Sequence, residues 1–169
     1  MVTVDRMSEI ISVINTGIKE AIKTSLANNA VLIADLNREQ LWAGKKADGA
    51  DLTPTYLADT YFKSEKSAKN YRRWKYRITP PSETARLKLP ARDIDTPNLY
   101  ITGVFHRSII ATVSTESVEL KSTDSSLSSG IISKFGANVL GIGKEAQEYI
   151  VDNIVSKGIE QHYRNCGYR

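Results

Sequence analysis

The residues best suited to chemistry in this chain are the cations and aromatic rings between positions 61 and 77. The cations are Lys63, Lys66, Lys69, Arg72, Arg73, Lys75 and Arg77, and the rings are Tyr61, Phe62, Tyr71, Trp74 and Tyr76. Positive side chains neutralise phosphates and aromatic rings stack on bases, so this composition is typical of a surface that contacts nucleic acid. A second interpretation stays open: a helix with Ala68, Tyr71 and either Trp74 or Lys75 toward the core and a solvated basic face.

The other residue types that support catalysis or metal binding are few and scattered. Two histidines, His106 and His162, and one cysteine, Cys166, are too few for a zinc site, and the Cys166–His162 pair lacks an orienting third group. The closest acid pair, Asp93 and Asp95, lies in a polar stretch where nothing would desolvate either carboxyl. Gly141-Ile142-Gly143-Lys144 lacks the first glycine and the final Ser or Thr of a phosphate loop, which favours a tight turn before a helix. We therefore predict no enzymatic activity, no metal and no cofactor.

Composition places the chain among ordinary globular proteins. Its 169 residues are 41% hydrophobic and 25% charged, with a net charge of +4, which fits one mildly basic domain. A lone cysteine suits a reducing compartment. There is no apolar core of a signal peptide and no apolar run of about 20 residues, so we expect a soluble intracellular protein without a membrane segment.

The first half of the sequence predicts three helices. Apolar residues spaced three and four apart form a stripe made of Met7, Ile10, Ile11, Ile14, Ile18, Ala21, Ile22 and Leu26. Thr3 or Asp5 would cap this helix, and Asn28-Asn29 would interrupt it. A second helix follows to Leu41, although residues 30–34 alone would also suit a buried strand. After an extended segment at 42–62 with a turn at Asp48-Gly49, a third helix is predicted from Ser64 to Arg77.

The second half predicts a sheet and further helices. Gly103 would adopt a positive φ before a short helix, or would allow close approach of a neighbouring subunit. Two alternating runs, 109–114 and 117–122, predict a β-hairpin, and a polar loop is expected at 124–130. A short helix would end at Gly136, and a last helix would start after Gly143. We predict an α+β fold: a long N-terminal helix and a C-terminal helix packed on a small antiparallel sheet, as a single domain over residues 1–169. A proline-rich surface loop or arm is expected at 80–97, and residues 82–97 should contact another subunit or protein because they have little reason to pack on their own domain.

The order of several short motifs resembles a known family. The first motif has Thr102, Gly103, Phe105, Ser108 and Ile109, the second has Phe135 and Gly136, and the third has Leu140, Gly141 and Ile142. From Leu99 to Gln161 this order resembles the virion-morphogenesis or tail-completion proteins of tailed bacteriophages. Residues 41–45 and 61–64, together with Arg73-Trp74-Lys75, resemble the variant of crAss-like and other gut Bacteroidetes phages. In the family the residues of these motifs are structural.

The resemblance implies a structural virion protein of the head–tail junction, located in the neck or tail of the particle. Such proteins form a homo-oligomeric ring, here expected to be a dodecamer or hexamer, between the portal and the tail or other neck proteins. Double-stranded DNA would pass through the ring without sequence-specific contact. The expected subunit or DNA-channel contacts are Lys69, Arg72, Arg73, Lys75, Arg77, Arg86, Lys88 and Arg92. The competing hypotheses are a nucleic-acid-binding module built on residues 63–77 and an enzyme whose site the sequence does not reveal.

Overall fold

The computed structural model describes residues 4–79 and 86–167 and shows an α+β fold, as predicted. Helices α1 (Val4–Asn28), α2 (Ala30–Trp42) and α3 (Glu65–Ile78) come first. Helix α4 (Val104–Ser108) leads into strands β1 (Ile109–Val113) and β2 (Val118–Ser122), followed by α5 (Ser125–Phe135) and a 3-10 turn (Ala137–Val139). The last helical run consists of α6 (Lys144–Ile150), a π-helical turn (Val151–Val155) and α7 (Ser156–Asn165).

The helix boundaries in the first half agree with the sequence pattern. The break between α1 and α2 falls at Asn29, whose side-chain amide donates to the carbonyl oxygen of Ser25 at 2.8 Å. Residues 30–34 are helical, so the alternative of a buried strand is wrong. Asp5 lies within α1, so it does not cap the helix, and Thr3 lies outside the described residues.

Helix α2 is the central element of the core. Its Ile33 and Leu41 pack with Ile109 of β1 and Leu120 of β2, and Ile154 of the π-helical turn joins the same cluster. The strands pair antiparallel with Ile109 opposite Ser122 and Ala111 opposite Leu120, so the side chains that alternate toward one face of the hairpin cover α2. The hydrophobic residues of both sequence halves therefore meet on one helix.

Two buried amides on α2 hold the turn that precedes the C-terminal helices. Asn37 Nδ2 donates to the carbonyl oxygens of Val139, at 3.0 Å, and Gly141, at 2.8 Å. Gln40 Oε1 accepts from the backbone N–H of Gly143 at 2.8 Å. A Cβ on Gly141 would lie 2.6 Å from that of Ala47, so glycine is required by this close approach. The Gly141–Lys144 sequence is therefore a tight turn and helix start, as predicted.

The predicted polar loop at 124–130 is wrong, because these residues begin α5. The Asp124 side chain accepts from the backbone N–H of Leu127 at 2.9 Å, which caps the helix, and Ser128 is buried. Serine has only a modest helix propensity, so the run of serines did not indicate a helix. The Asp124 cap and the packing of Ile131 and Ile132 against the core stabilise this helix. The helix ends at Gly136, with φ +92°, as predicted.

The expectation that residues 82–97 do not pack on their own domain is wrong for residues 86–97. Glu39 of α2 accepts from the backbone N–H groups of Arg86, at 2.7 Å, and Leu87, at 3.0 Å. Leu87 is buried in a small cluster with Leu36 and Ala146. A carboxylate that accepts several N–H bonds fixes the backbone that donates them, so this irregular segment belongs to the domain. Residues 80–85 lie outside the described residues.

The first and last helices pack against each other. A Cβ on Gly158 of α7 would lie 2.0 Å from Ser25 Oγ of α1, so this glycine allows close contact between the two helices. The imidazole of His162 lies in a similar way against Gly17, and its Nε2 is 3.1 Å from the carbonyl oxygen of Ile14.

Candidate binding surface on helix α3

Helix α3 is built from local signals in its own sequence. Ser64 caps the helix by accepting from the backbone N–H of Ser67 at 3.2 Å. Glu65 lies in the first turn and Lys75 and Arg77 in the last, an arrangement that complements the helix dipole. The helix ends at Thr79, whose extended backbone is the conformation favoured for a residue before proline. These signals explain why the predicted boundaries agree with the observed ones.

The inner face of α3 contains a lysine. Ala68 and Lys75 are both buried, with Lys75 only 3% exposed, as the second sequence interpretation allowed. Lys75 Nζ donates to Asn98 Oδ1 at 3.1 Å. Burial, with a smaller contribution from the Arg92 guanidinium, lowers the pKa of Lys75 to about 8. The expectation that Lys75 contacts DNA or a neighbouring subunit is therefore wrong.

The outer face of α3 carries a basic stripe that we define as Lys66, Arg73 and Arg77. These residues are exposed, and their spacings of seven and four place them on one side of the helix. Two exposed rings flank the stripe, Trp74 at 43% and Tyr76 at 64% exposure. Lys69, also exposed, forms an ion pair with Glu65 at 2.5 Å. The stripe and its rings form a surface that suits an anionic partner.

The other predicted contact residues serve the domain itself, with one exception. Arg72 is half-buried, with Nη1 3.8 Å from Asp95 Oδ1. Arg86 Nη1 donates to Glu39 Oε1 at 2.8 Å, and Arg92 Nη1 donates to the carbonyl oxygen of Thr96. Lys88 is exposed. Arg86 and Arg92 therefore fix the segment after residue 85, because their guanidinium groups bind acceptors of their own chain.

An aromatic groove of about 580 Å³ lies beside the inner edge of α3. Rings from four chain segments line it, and Lys75 and Lys134 add two amines; the rings include Tyr56, Tyr61, Phe62, Tyr71, Tyr100 and Phe135. Tyr71 links this groove to the exposed surface, because its ring centroid lies 5.3 Å from that of Trp74. Lys134 binds the Asp59 carboxylate and lies over the rings of Tyr61 and Phe135 at 5.9 and 5.6 Å. Burial raises the pKa of Tyr56 to about 12.

A polar node that the sequence analysis missed supports the groove. Asn98 is fully buried, and its Oδ1 accepts from Lys75 Nζ and from the backbone N–H of Tyr100, both at 3.1 Å. Leu99, which lies between Asn98 and Tyr100 in the chain, adopts φ +55°, a backbone conformation that is uncommon for a residue with a side chain. The hydrogen bonds of Asn98 maintain this conformation. Lys75 and Asn98 are 23 positions apart, so no local spacing signals the pair.

His106 completes this node. Its Nε2 lies 2.8 Å from the carbonyl oxygen of Asn98, and because a carbonyl only accepts, Nε2 carries the proton. Burial lowers the pKa of His106 to about 4, to which the charges of Arg38 and Lys75 add, while the bond to Asn98 opposes the shift. The ring packs against Trp42, with centroids 5.1 Å apart. A neutral, buried imidazole between rings stabilises the segment from 98 to 106.

The motif residues of the phage resemblance have structural positions. Gly103 adopts φ +76° and precedes α4, so the prediction of a positive-φ turn is confirmed. Phe105 and Ile109 are in the core, and Ser108 Oγ lies 2.7 Å from Ser122 Oγ across the hairpin. The carbonyl oxygen of Thr102 accepts from Arg107 at 3.1 Å. Phe135 and Leu140 are half-buried and pack against the core cluster, and Gly136 and Gly141 occupy the turns described above.

The few candidate catalytic residues form hydrogen bonds with the backbone of their own chain. His162 Nε2 lies 3.8 Å from Cys166 Sγ, but it donates to the carbonyl oxygen of Ile14 and so is not available as a base for the thiol. Asp95 Oδ1 accepts from the backbone N–H of Leu57 at 3.1 Å, and Asp93 Oδ1 accepts from that of Asp95 at 2.7 Å. Within residues 4–79 and 86–167, no group of three or more His, Cys, Asp or Glu side chains is arranged to hold a metal.

Comparison of the chain with models of known protein families, with curated protein sequences and with solved structures gave no match. Among the helices that the structure describes, none has the length and apolar character needed to cross a membrane. The resemblance to phage proteins is therefore the basis of a proposal, which the surfaces described above support.

Proposed function

We propose that this chain is a structural protein of a bacteriophage head–tail junction that assembles into a ring around the DNA channel. The observation that carries the proposal is the basic stripe on α3. Three exposed cations and two exposed rings lie on a helix whose opposite face is buried, which is typical of a surface that binds another molecule. The ordered motifs from Thr102 to Gly141, which resemble those of tail-completion proteins, support the same function.

Exposed apolar side chains on other helices favour assembly over a single binding event. Ile11 and Val13 of α1 and Val31 of α2 are exposed apolar side chains far along the chain from α3. A ring of identical subunits uses a head-to-tail interface, so each subunit must present two different surfaces. The basic stripe of α3 is a candidate for one of them, and exposed side chains on other elements are available for the second. In the ring the portal and the tail or neck proteins would contact the two rims, and DNA would pass without sequence-specific contacts.

One alternative has its own support. Trp74 and Tyr76 beside Lys66, Arg73 and Arg77 also suit a nucleic-acid-binding module, because rings stack on bases while cations bind phosphates. The two functions differ in what the purified protein does. A ring component forms a defined oligomer without tight DNA binding, whereas a binding module is a monomer whose DNA affinity falls steeply with salt.

The test measures mass and DNA affinity on the same preparation. Analytical ultracentrifugation should give a discrete oligomer, and fluorescence anisotropy with a 30-base-pair duplex should give weak binding at 150 mM salt. In intact particles, a labelled antibody against the protein should mark the head–tail junction. A monomer whose DNA affinity drops with a salt slope near −3, and whose slope falls toward zero when Lys66, Arg73 and Arg77 are changed to Ala, would establish the binding module instead, since each phosphate contact contributes about one unit.

A further inference from the structure

The basic charge of this protein is concentrated on one helix. Residues 61–78 contain seven cations and one acidic residue, Glu65, while the remainder of the chain contains sixteen cations and eighteen acidic residues. The chain as a whole is +4, so its positive charge belongs to the α3 region and the rest of the surface is slightly acidic. Outside its own α3 region, a second copy of the chain therefore has a small excess of acidic residues that can complement α3.

The acidic side chains of α6 and the π-helical turn form the complementary surface. Glu145, Glu148 and Asp152 are exposed, and spacings of three and four place them on one face of a continuous helix. Beside them Val151 is 52% exposed, an apolar residue at the centre of a polar helix face. Lys144 lies 3.9 Å from Glu148, with both side chains largely in solvent. The opposite face of α6 is fixed on the domain, because Ala146 packs with Leu36 and Leu87.

We propose that the basic stripe of α3 in one subunit docks on the acidic face of α6 in the next copy, an inference that rests on the assembly in the proposed function. Arg73 and Arg77 would pair with the carboxylates of Glu148 and Asp152. Tyr76, the more exposed of the two flanking rings, would cover Val151, which supplies the apolar centre that a stable contact needs beside its charged rim. The two surfaces differ, so the contact is heterologous and repeats around a ring.

Charge reversal with mixing tests this pairing. One variant carries Lys66→Glu, Arg73→Glu and Arg77→Glu, and the other carries Glu145→Lys, Glu148→Lys and Asp152→Lys. Each variant alone presents like charges at every contact, so each should sediment as a monomer at a concentration where the wild type assembles. In a one-to-one mixture both contacts become attractive again. The mixture should recover the wild-type mass, with the two variants alternating, as native mass spectrometry of a mass-tagged variant would show.

The matched control for the α3 variant places the same change in net charge elsewhere. Lys19→Glu, Lys121→Glu and Lys157→Glu alter three exposed cations outside both surfaces, and this variant should assemble as the wild type does. Thermal melts confirm that each variant is folded. If a triple variant unfolds, the single changes Arg77→Glu and Asp152→Lys carry the same prediction, with at least a tenfold weaker self-association for each and recovery on mixing.

Four results would overturn the docking. If the reversed variants keep the wild-type mass, a different surface forms the ring and the proposed function stands. If only the α3 variant loses assembly, and mixing does not recover it, the stripe docks on a surface of the next copy other than the acidic face of α6. If the control dissociates as well, the effect is one of net charge. If the wild type is monomeric at every concentration, this contact is absent, and antibody labelling of the particle alone decides the proposed function.

Discussion

Lys75 is a lysine in an environment that disfavours its charge. It is buried among rings, with Asn98 Oδ1 as a neutral acceptor 3.1 Å from the amine. Unpaired charges are costly inside proteins, and a buried lysine responds by losing its proton more easily. The charge of a lysine or arginine in α3 therefore does not by itself indicate a binding role. Its position on the helix decides whether it is exposed or buried.

The pKa of Lys75 predicts a pH dependence of stability. The folded pKa of about 8 lies below the unfolded value of 10.5, so between these values the unfolded chain binds more protons and stability rises with pH. We expect the free energy of unfolding in urea to increase from pH 7.5 to 9.5 by on the order of 2 kcal/mol from this residue, because one pKa unit corresponds to about 1.4 kcal/mol. Lys75→Met should remove the increase. An identical increase in that variant would show that another group causes it.

His106 should affect the stability of the protein in the acidic pH range. With a folded pKa of about 4 and an unfolded value of 6.5, the unfolded chain takes up the proton first, so stability decreases as the pH falls from 6.5 toward 4. NMR titration of the imidazole carbons should show a neutral His106 ring with its proton on Nε2 at pH 5.5. A ring that titrates near 6.5 would mean that the imidazole is exposed to water.

At the scale of elements, the segment from 86 to 97 shows how an irregular stretch becomes part of a core. Its prolines and mixed charges suggested an arm, since the sequence has no periodic apolar pattern there. The deciding contact is Glu39, which is on α2 and almost fifty residues earlier in the chain. A carboxylate that will bind a distant backbone looks the same in sequence as one that will bind water, so this attachment could not be predicted.

A substitution at Leu87 tests how strongly the segment from 86 to 97 packs on the domain. Leu87→Ala removes a side chain that is 5% exposed and packed with Leu36 and Ala146, and the free energy of unfolding should fall by about 2–4 kcal/mol. The matched control is Leu57→Ala, the same substitution at a residue that is 39% exposed, where the loss should stay below about 1 kcal/mol. Equal losses at the two positions in urea denaturation would show that the segment does not pack on the domain in solution.

Other elements were predictable because their signals are local. The period of α1, the cap of α3 at Ser64 and the alternation of β1 and β2 each depend on residues close in sequence. Gly103 was identified as a positive-φ position for the same reason. The start of α5 was not predicted because serines are weak helix formers. Besides its local cap at Asp124, the helix depends on the burial of Ser128, and only the tertiary structure provides that burial.

At the scale of the whole molecule, the fold class could be predicted from the apolar patterns of the sequence, but the candidate site could be predicted only in part. The sequence located the basic helix correctly and assigned eight contact residues. The structure leaves five of them exposed, Lys69, Arg73, Arg77, Arg86 and Lys88, although the Arg86 guanidinium binds Glu39. The groove and the node at Asn98 were not predicted. They bring together residues from four distant segments, and proximity of that kind is set by packing, which no spacing rule within one segment records.

The packing of α1 on α7 has a consequence for how the protein is made. His162 and Ile14 are 148 residues apart, so α1 leaves the ribosome long before its partner helix α7. For most of translation the apolar stripe of α1 lacks its native cover, and it is the kind of nascent surface that chaperones hold. A chain that stops before α7 keeps this stripe uncovered and becomes a substrate for proteolysis. The native packing of α1 therefore has to wait until α7 has been synthesised.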